Sequence, residues 1–273
     1  MGKIIVSANS IEHMNMLLTK KIDGVMLYID KLAVNASFYV DIDIIDDIDF
    51  KGKEVFISLN KIMHNSDLEY LDVVLNKLKD KDVKILFYDM AVFEIALRYN
   101  ITDKLIIYQD HLNASILSNN FYYDLGISGS YITSDITGEE LLEIKKNSKN
   151  MIMFTVYGYV PIFYSRRYLI TNYLKYIHEE NMDGKYEIVS DTGVSYPINE
   201  EEFGTTVYSP KIINLINYLD ELENIDYLVM HSNNISDLEF NKMVDKFILR
   251  EKMDDGYIGF FKTKTIYRVK SGE

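Results

Sequence analysis

Two short segments hold most of the side chains that could do chemistry. Gln109-Asp110-His111-Leu112-Asn113 sets an imidazole beside a carboxylate, a pairing able to move a proton near neutral pH or to hold a divalent cation. Farther on, Tyr157-Gly158-Tyr159-Val160-Pro161-Ile162-Phe163-Tyr164-Ser165-Arg166-Arg167-Tyr168-Leu169-Ile170-Thr171-Asn172-Tyr173 sets two adjacent guanidinium groups among aromatic rings. Such groups grip a carboxylate, a phosphate or a stacked base, and Gly158 allows close backbone approach. The pair carries weight because the chain has only five arginines. The opposing reading is an amphipathic helix whose arginines pair with an acidic surface, and the residues alone leave both open.

These side chains matter only if the chain brings them together, and its period suggests how. Short β-branched or aromatic runs recur at Lys3 to Asn9, Gly24 to Asp30, Glu54 to Asn60, Val83 to Asp89, Lys104 to Asp110, Gly129 to Asp135, Met151 to Gly158 and Asp226 to His231. The first seven begin about 20 to 30 residues apart, the length of a strand plus its return helix. Helix starts stand at Ser66-Asp67-Leu68-Glu69, Thr137-Gly138-Glu139-Glu140 and Ser236-Asp237-Leu238-Glu239, each a capping-box pattern. Ser209-Pro210 opens a further expected helix, with Ile212, Ile213, Leu215, Ile216 and Leu219 on its apolar side. Lys31 to Phe50 is ambiguous between loop, short helix and irregular strand.

Eight such units predict an α/β fold, a (β/α)₈ TIM-barrel-like single domain over 1–273, with an open doubly wound sheet as the alternative. The long stretch between the seventh and eighth strands predicts an inserted helix and β-hairpin over 159–208, a flap across the barrel mouth, with its turn at Asp191 to Gly193. In that fold the strand ends place Asn9, Asp30, Asn60, Asp89, Asp110, Asp135, Tyr157 and His231 on one rim, the side on which barrels bind ligands. Asp110, His111 and Asp89 are the catalytic candidates. Tyr157, Ser165, Arg166, Arg167, Asn172, Tyr173, Asn60 and His231 are the substrate-binding candidates. Asp and Asn at strand ends also serve simply as helix caps.

Composition narrows the chemistry. There is no cysteine, so no disulfide, cysteine-ligated zinc, nucleophilic thiol or iron–sulfur cluster can be held by this chain alone. A GxSxG elbow, HExxH, a P-loop, GxGxxG and an EF-hand loop are all missing from the sequence. A net charge of −13 disfavours a broadly basic nucleic-acid surface and makes the arginine pair a local exception. The start Met1-Gly2-Lys3-Ile4-Ile5-Val6-Ser7 has no leader pattern and no apolar run is long enough to span a membrane, so a cytoplasmic location is expected.

The segment around the arginines resembles the signature of the collagenase-like peptidase family U-32. Gly158, Val160, Ser165, Arg167, Leu169, Ile170, Asn172 and Tyr173 agree with it. The family's Glu falls on Met153, its cysteines on Pro161 and Tyr168, its glycine on Arg166 and its serine on Thr171. Asp110-His111-Leu112-Asn113 falls where members show Thr-Gln-x-Asn, and Asp255-Gly256-Tyr257-Ile258-Gly259-Phe260-Phe261 resembles the family's closing Gly-Phe-rich stretch. The resemblance implies a barrel-like fold. It also implies either peptidase activity, and hence proteolysis by a hydrolase, or a part in hydroxylating tRNA or rRNA with a cysteine-bound iron–sulfur cluster. With no cysteine, the chain resembles a cluster-free branch. The expected function is RNA modification as enzyme or subunit, with a tRNA or small acidic ligand at the arginines and a cysteine-bearing paralogue as partner. A metal-assisted peptidase using a divalent cation, and a noncatalytic scaffold, are the alternatives.

Overall fold

The computed structural model describes residues 2–109, 112–179, 186–254 and 256–263. Eight parallel strands run from β1 (Lys3–Ser7), β2 (Gly24–Ile29), β3 (Glu54–Leu59) and β4 (Lys84–Phe87) through β5 (Leu105–Tyr108), β6 (Gly129–Tyr131), β7 (Met151–Gly158) and β8 (Tyr227–Met230). Each pairs with the next, and β1 pairs with both β2 and β8, so the sheet closes. This is the expected (β/α)₈-like barrel, and closure removes the open-sheet alternative. All eight strands fall inside the runs read from sequence.

Alternation sorts the residues. Ile5, Met26, Phe56, Leu86, Ile106, Met153 and Val229 point inward and fill the barrel, whereas Ile4, Val25, Ile57, Ile85, Ile107, Phe154 and Leu228 point outward under the helices. A strand buried on both faces therefore reads as a continuous apolar run, as these do. The outer layer comprises α1 (Ile11–Leu17), α2 (Leu68–Leu78), α3 (Met90–Tyr99), α4 (Ile116–Asp124), α5 (Gly138–Asn147) and, after β8, α7 (Asp237–Leu249). Between β2 and β3 stand only a short strand at Tyr39–Val40 and a 3₁₀ turn at Ile42–Asp47.

Two start signals cap their helices, Thr137 as the full capping box and Ser236 through its hydroxyl alone. Thr137 accepts from Glu140 N while the Glu140 carboxylate accepts from Thr137 N, and Ser236 accepts from Glu239 N. Two do not. Before α2 the chain makes a 3₁₀ turn at Asn65–Asp67, and Asp67 rather than Glu69 reaches back, accepting from His64 N at 2.7 Å. The helix expected after Pro210 is not formed. Ser209 Oγ accepts from Val160 N and donates to Lys211 O, and Ile213–Asn214 pairs antiparallel with the end of β7. Ile213, Leu215, Ile216 and Leu219 are still buried, so the apolar spacing reports burial while β-pairing sets the backbone.

The insertion is larger than a hairpin. Tyr186–Val189 and Ser195–Glu201 do form the hairpin around the expected turn. Gly204–Tyr208 and Pro161–Ser165 extend it to a four-stranded antiparallel sheet. α6 (Leu169–Tyr176) leaves from its edge.

At the amino-terminal end an ionic group plugs the barrel. Glu54 receives Lys3, Lys84 Nζ at 2.6 Å and Tyr227 OH at 2.9 Å, and the Lys84 ammonium lies 5.4 Å from the Phe56 ring centre. Burial opposes ionisation of Glu54, but the hydrogen bonds from Lys3, Lys84 and Tyr227 outweigh it and hold its carboxyl below the usual range. A depressed carboxyl pKa contributes stability above the unfolded value, lost as pH falls through the folded one. Glu54→Gln should cost about 1–2 kcal/mol at pH 7, allowing for partial solvent exposure. Urea unfolding should show that deficit vanishing below about pH 4.

Candidate functional site

At the carboxyl ends of the strands the inward positions turn polar. Ser7, Tyr28, Ser58, Tyr108, Tyr131, Thr155 and His231 succeed the apolar middle of the barrel. Thr155 Oγ1 lies 2.7 Å from Tyr131 OH, which lies 2.8 Å from His231 Nε2, with Tyr28 OH 3.4 Å from Nδ1. His231 is buried, and that burial pushes its imidazole down to about 4. It is therefore neutral at physiological pH, one ring nitrogen donating and the other accepting.

The inserted sheet is latched over this end of the barrel. Asn35, on the loop after β2 and in a left-handed conformation at φ 65, is the hub. Its side-chain oxygen accepts from Thr206 of the sheet, and its carbonyl accepts from Asn233, two residues beyond His231. Tyr39 donates to Glu201, on the sheet. Burial pushes the Glu201 carboxyl up, against the opposing hydrogen bonds from Tyr39 and the Asn35 backbone. Lys61 is buried with its ammonium 3.1 Å from Asp67 and 4.1 Å from the centre of the Phe203 ring, also on the sheet. Between barrel and sheet lies a cavity of about 70 Å³, lined by Asn35, Asn60, Tyr88, Pro161, Phe163 and Tyr164 among others. Burial and the nearby Glu201 and Asp67 charges push the Tyr164 phenol up to about 12.

Several expected site residues are placed elsewhere. Asp110 and His111 lie outside the described residues. Asp89 caps α3, accepting from Ala91 N at 2.9 Å and from Met63 N at 3.0 Å, so both oxygens already serve the backbone. Asn60 lines the cavity while its amide clamps both backbone groups of Val34 at 3.0 Å. His231 joins the buried tyrosine network. Tyr157 departs from expectation: Val229 and Met230 of β8 pair with Thr155 and Tyr157, skipping Val156. That bulge reverses the alternation, and Tyr157 packs outward against Phe240 and Phe247 of α7.

Ser165, Arg166, Arg167, Asn172 and Tyr173 stand on the inserted sheet and α6. Ser165 Oγ accepts from Arg167 N at 3.3 Å. Neither guanidinium has an ion-pair partner among the described residues. The mouth residues Asn35, Tyr39, Lys61, Tyr88, Glu201, Thr206 and Asn233 were not singled out by the sequence. Only Tyr88, inside the run Val83 to Asp89, Lys61, directly after strand-end Asn60, and Asn233, two residues past His231, carried a positional signal.

The model of Peptidase family U32 matches residues 10–245. The chain belongs to this family. The structure of the U32 peptidase Mk0906 aligns with a TM-score of 0.52 over 85% of this chain and 92% of that one; at 12% identity the likeness is one of fold. tRNA hydroxylation protein P2 of Bacillus subtilis (strain 168) is 28% identical over 181 residues, 63% of this chain. The chain spans 58% of that relative's length.

The iron–sulfur cluster that the U32 resemblance brings with it does not fit these residues. Pro161, at one cysteine position, offers no ligand atom and is held in the sheet opposite Tyr208. Tyr168, at the other, donates its hydroxyl to Glu202 O at 2.6 Å. Among the described residues no three His, Asp or Glu side chains assemble as a metal-ligand set, and no helix is long and apolar enough to cross a membrane.

Two outcomes follow from this geometry. An imidazole with a lowered pKa leaves stability intact above about pH 6.5 and erodes it toward pH 4, because the unfolded chain takes up a proton the folded one refuses. His231→Gln should therefore flatten the fall in unfolding free energy between pH 7 and pH 5 by about 2 kcal/mol. Gly158 sits at φ +125 and a Cβ there would lie 2.6 Å from His231 O. Gly158→Ala should cost about 3 kcal/mol in urea unfolding.

Proposed function

We propose that this U32 barrel serves RNA modification of the tRNA-hydroxylation type, as the enzyme or as one of its subunits, in the cytoplasm. The observation that carries the reading is the 181-residue similarity to tRNA hydroxylation protein P2. The site supports it: two guanidinium groups with no ion-pair partner among the described residues stand in the turn between the inserted sheet and α6, offered to an RNA phosphate or a small acidic ligand. Asn172 and Tyr173 follow them on α6. The cavity lined by Asn35, Asn60, Tyr88 and Tyr164 is neutral and rich in hydrogen-bonding groups, and is suited to a small polar moiety. Asp110 and His111 enter as the acid–base pair by their position directly after β5. Proteolysis is supported by the family's description alone.

The misfit with a cluster gives the subunit form its weight. A cysteine-bearing paralogue would bring redox chemistry that this chain's own side chains do not hold. The test is mass spectrometry of nucleosides from tRNA and rRNA of a strain lacking the gene. Loss of a hydroxylated nucleoside is expected, restored by the wild-type gene and not by His111→Gln or Asp110→Asn. A nucleoside profile identical to the parent strain would overturn the proposal. Affinity purification of the tagged protein then separates the two forms, according to whether it carries a cysteine-bearing relative.

A further inference from the structure

Building on the RNA-modification reading, we infer that α6 and the turn before it form a docking platform for an unpaired stretch of RNA. Its bases stack on Tyr173 and Tyr176, and its phosphates meet Arg166 and Arg167.

The first observation is what α6 fails to bury. None of its eight residues is buried, and Tyr173 and Tyr176 are 61% and 81% exposed. Three residues apart, they are neighbours on one helix face. Tyr168, at the start of α6, and Phe163, on the preceding strand, are also about half exposed. Exposed aromatic surface paired on one helix face marks a place where something binds.

The platform is nonetheless fixed. Glu200 accepts from Ile170 N at 2.8 Å, from Thr171 N and from the Thr171 hydroxyl. Leu169 N donates to Thr205 Oγ1, which in turn donates to Arg167 O. Tyr168 is tied to Glu202 O. These bonds also commit the Glu200 carboxylate to the helix start rather than to the arginines.

Charge chooses the occupant. Arg98 and Arg250 each pair with an aspartate, Asp72 and Asp220. Among the described residues Arg166 and Arg167 have no acidic partner, and Arg166 keeps a buried guanidinium nitrogen without an acceptor. Such cations beside exposed rings fit a polyanion with free π-faces. A duplex hides its base faces, whereas an unpaired strand presents them.

The test uses the full-length protein and fluorescence anisotropy with a labelled oligouridine and a perfectly paired RNA hairpin of equal length. The oligouridine should bind more tightly. Tyr173→Ala with Tyr176→Ala should weaken that binding by about 30-fold or more, and Tyr173→Phe with Tyr176→Phe should retain it, with circular dichroism unchanged throughout. Arg166→Gln with Arg167→Gln should lower the slope of log affinity against log salt by about 1.4, or about 0.7 per phosphate contact. Equal or tighter binding of the hairpin, unchanged affinity in both double variants, or no RNA binding by the wild type would each refute the platform. So would variants that keep RNA affinity but lower the mass measured by light scattering, which would make this a protein–protein face. A gene deletion that abolishes the modified nucleoside, fully complemented by the tyrosine double variant, would sink the platform and leave the modification reading standing.

Discussion

Everything in this molecule hangs on closing the sheet. β1 must pair with β2 on one side and β8 on the other, joining segments more than 200 residues apart. Once it does, the interior has a fixed width that side chains must fill and water does not enter. Middle positions are met by Ile, Leu, Met, Phe and Val. The two ends cannot be purely apolar, because they face solvent on one side and the inserted sheet on the other. The amino-terminal end answers with a carboxylate held by two lysines and a tyrosine; the mouth answers with tyrosine, threonine and a neutral histidine.

That difference has a functional consequence. The lower group is charged and internally compensated. The upper group is neutral, and its hydroxyls and amides are capable of exchanging partners at small cost in charge. Asn35 joins the two halves of this upper region: Thr206 reaches it from the roof and Asn233 from the end of β8. The position of the inserted sheet over the mouth is thus set by a few hydrogen bonds between neutral groups, together with the Tyr39–Glu201 contact and the Lys61 stack on Phe203. A roof held this way is specific in register without a large apolar seam.

How far the sequence could be read follows from the same physics. Strands buried on both faces announce themselves as apolar runs, which is why all eight were legible, and Thr137 and Ser236 announced their helices through local hydrogen bonds. Tyr157 was misread because a one-residue bulge opposite Val229 leaves no mark in composition yet turns every later side chain over. The stretch after Pro210 was misread because its apolar spacing satisfies either a helix or a buried irregular segment. Asn35, Glu201 and Thr206 could not be found from sequence, since each gains its role from a partner far along the chain. Asp89 was legible only as a polar strand end; which of its two uses it serves depends on Met63 N arriving beside it.

The zero in the cysteine count gains meaning only in this setting. Laid on the U32 signature, the cysteine positions become Pro161, which begins the edge strand of the roof, and Tyr168, which anchors the start of α6. Both are now framework positions of the inserted sheet, so the residues that replace thiols stabilise the surface from which the arginines project. Arg98 and Arg250 pair with Asp72 and Asp220, whereas Arg166 and Arg167 have no acidic partner among the described residues. Two such cations beside a solvent-exposed helix fit the proposal that the roof meets an anionic partner. The chemistry performed on that partner need not reside wholly in this chain.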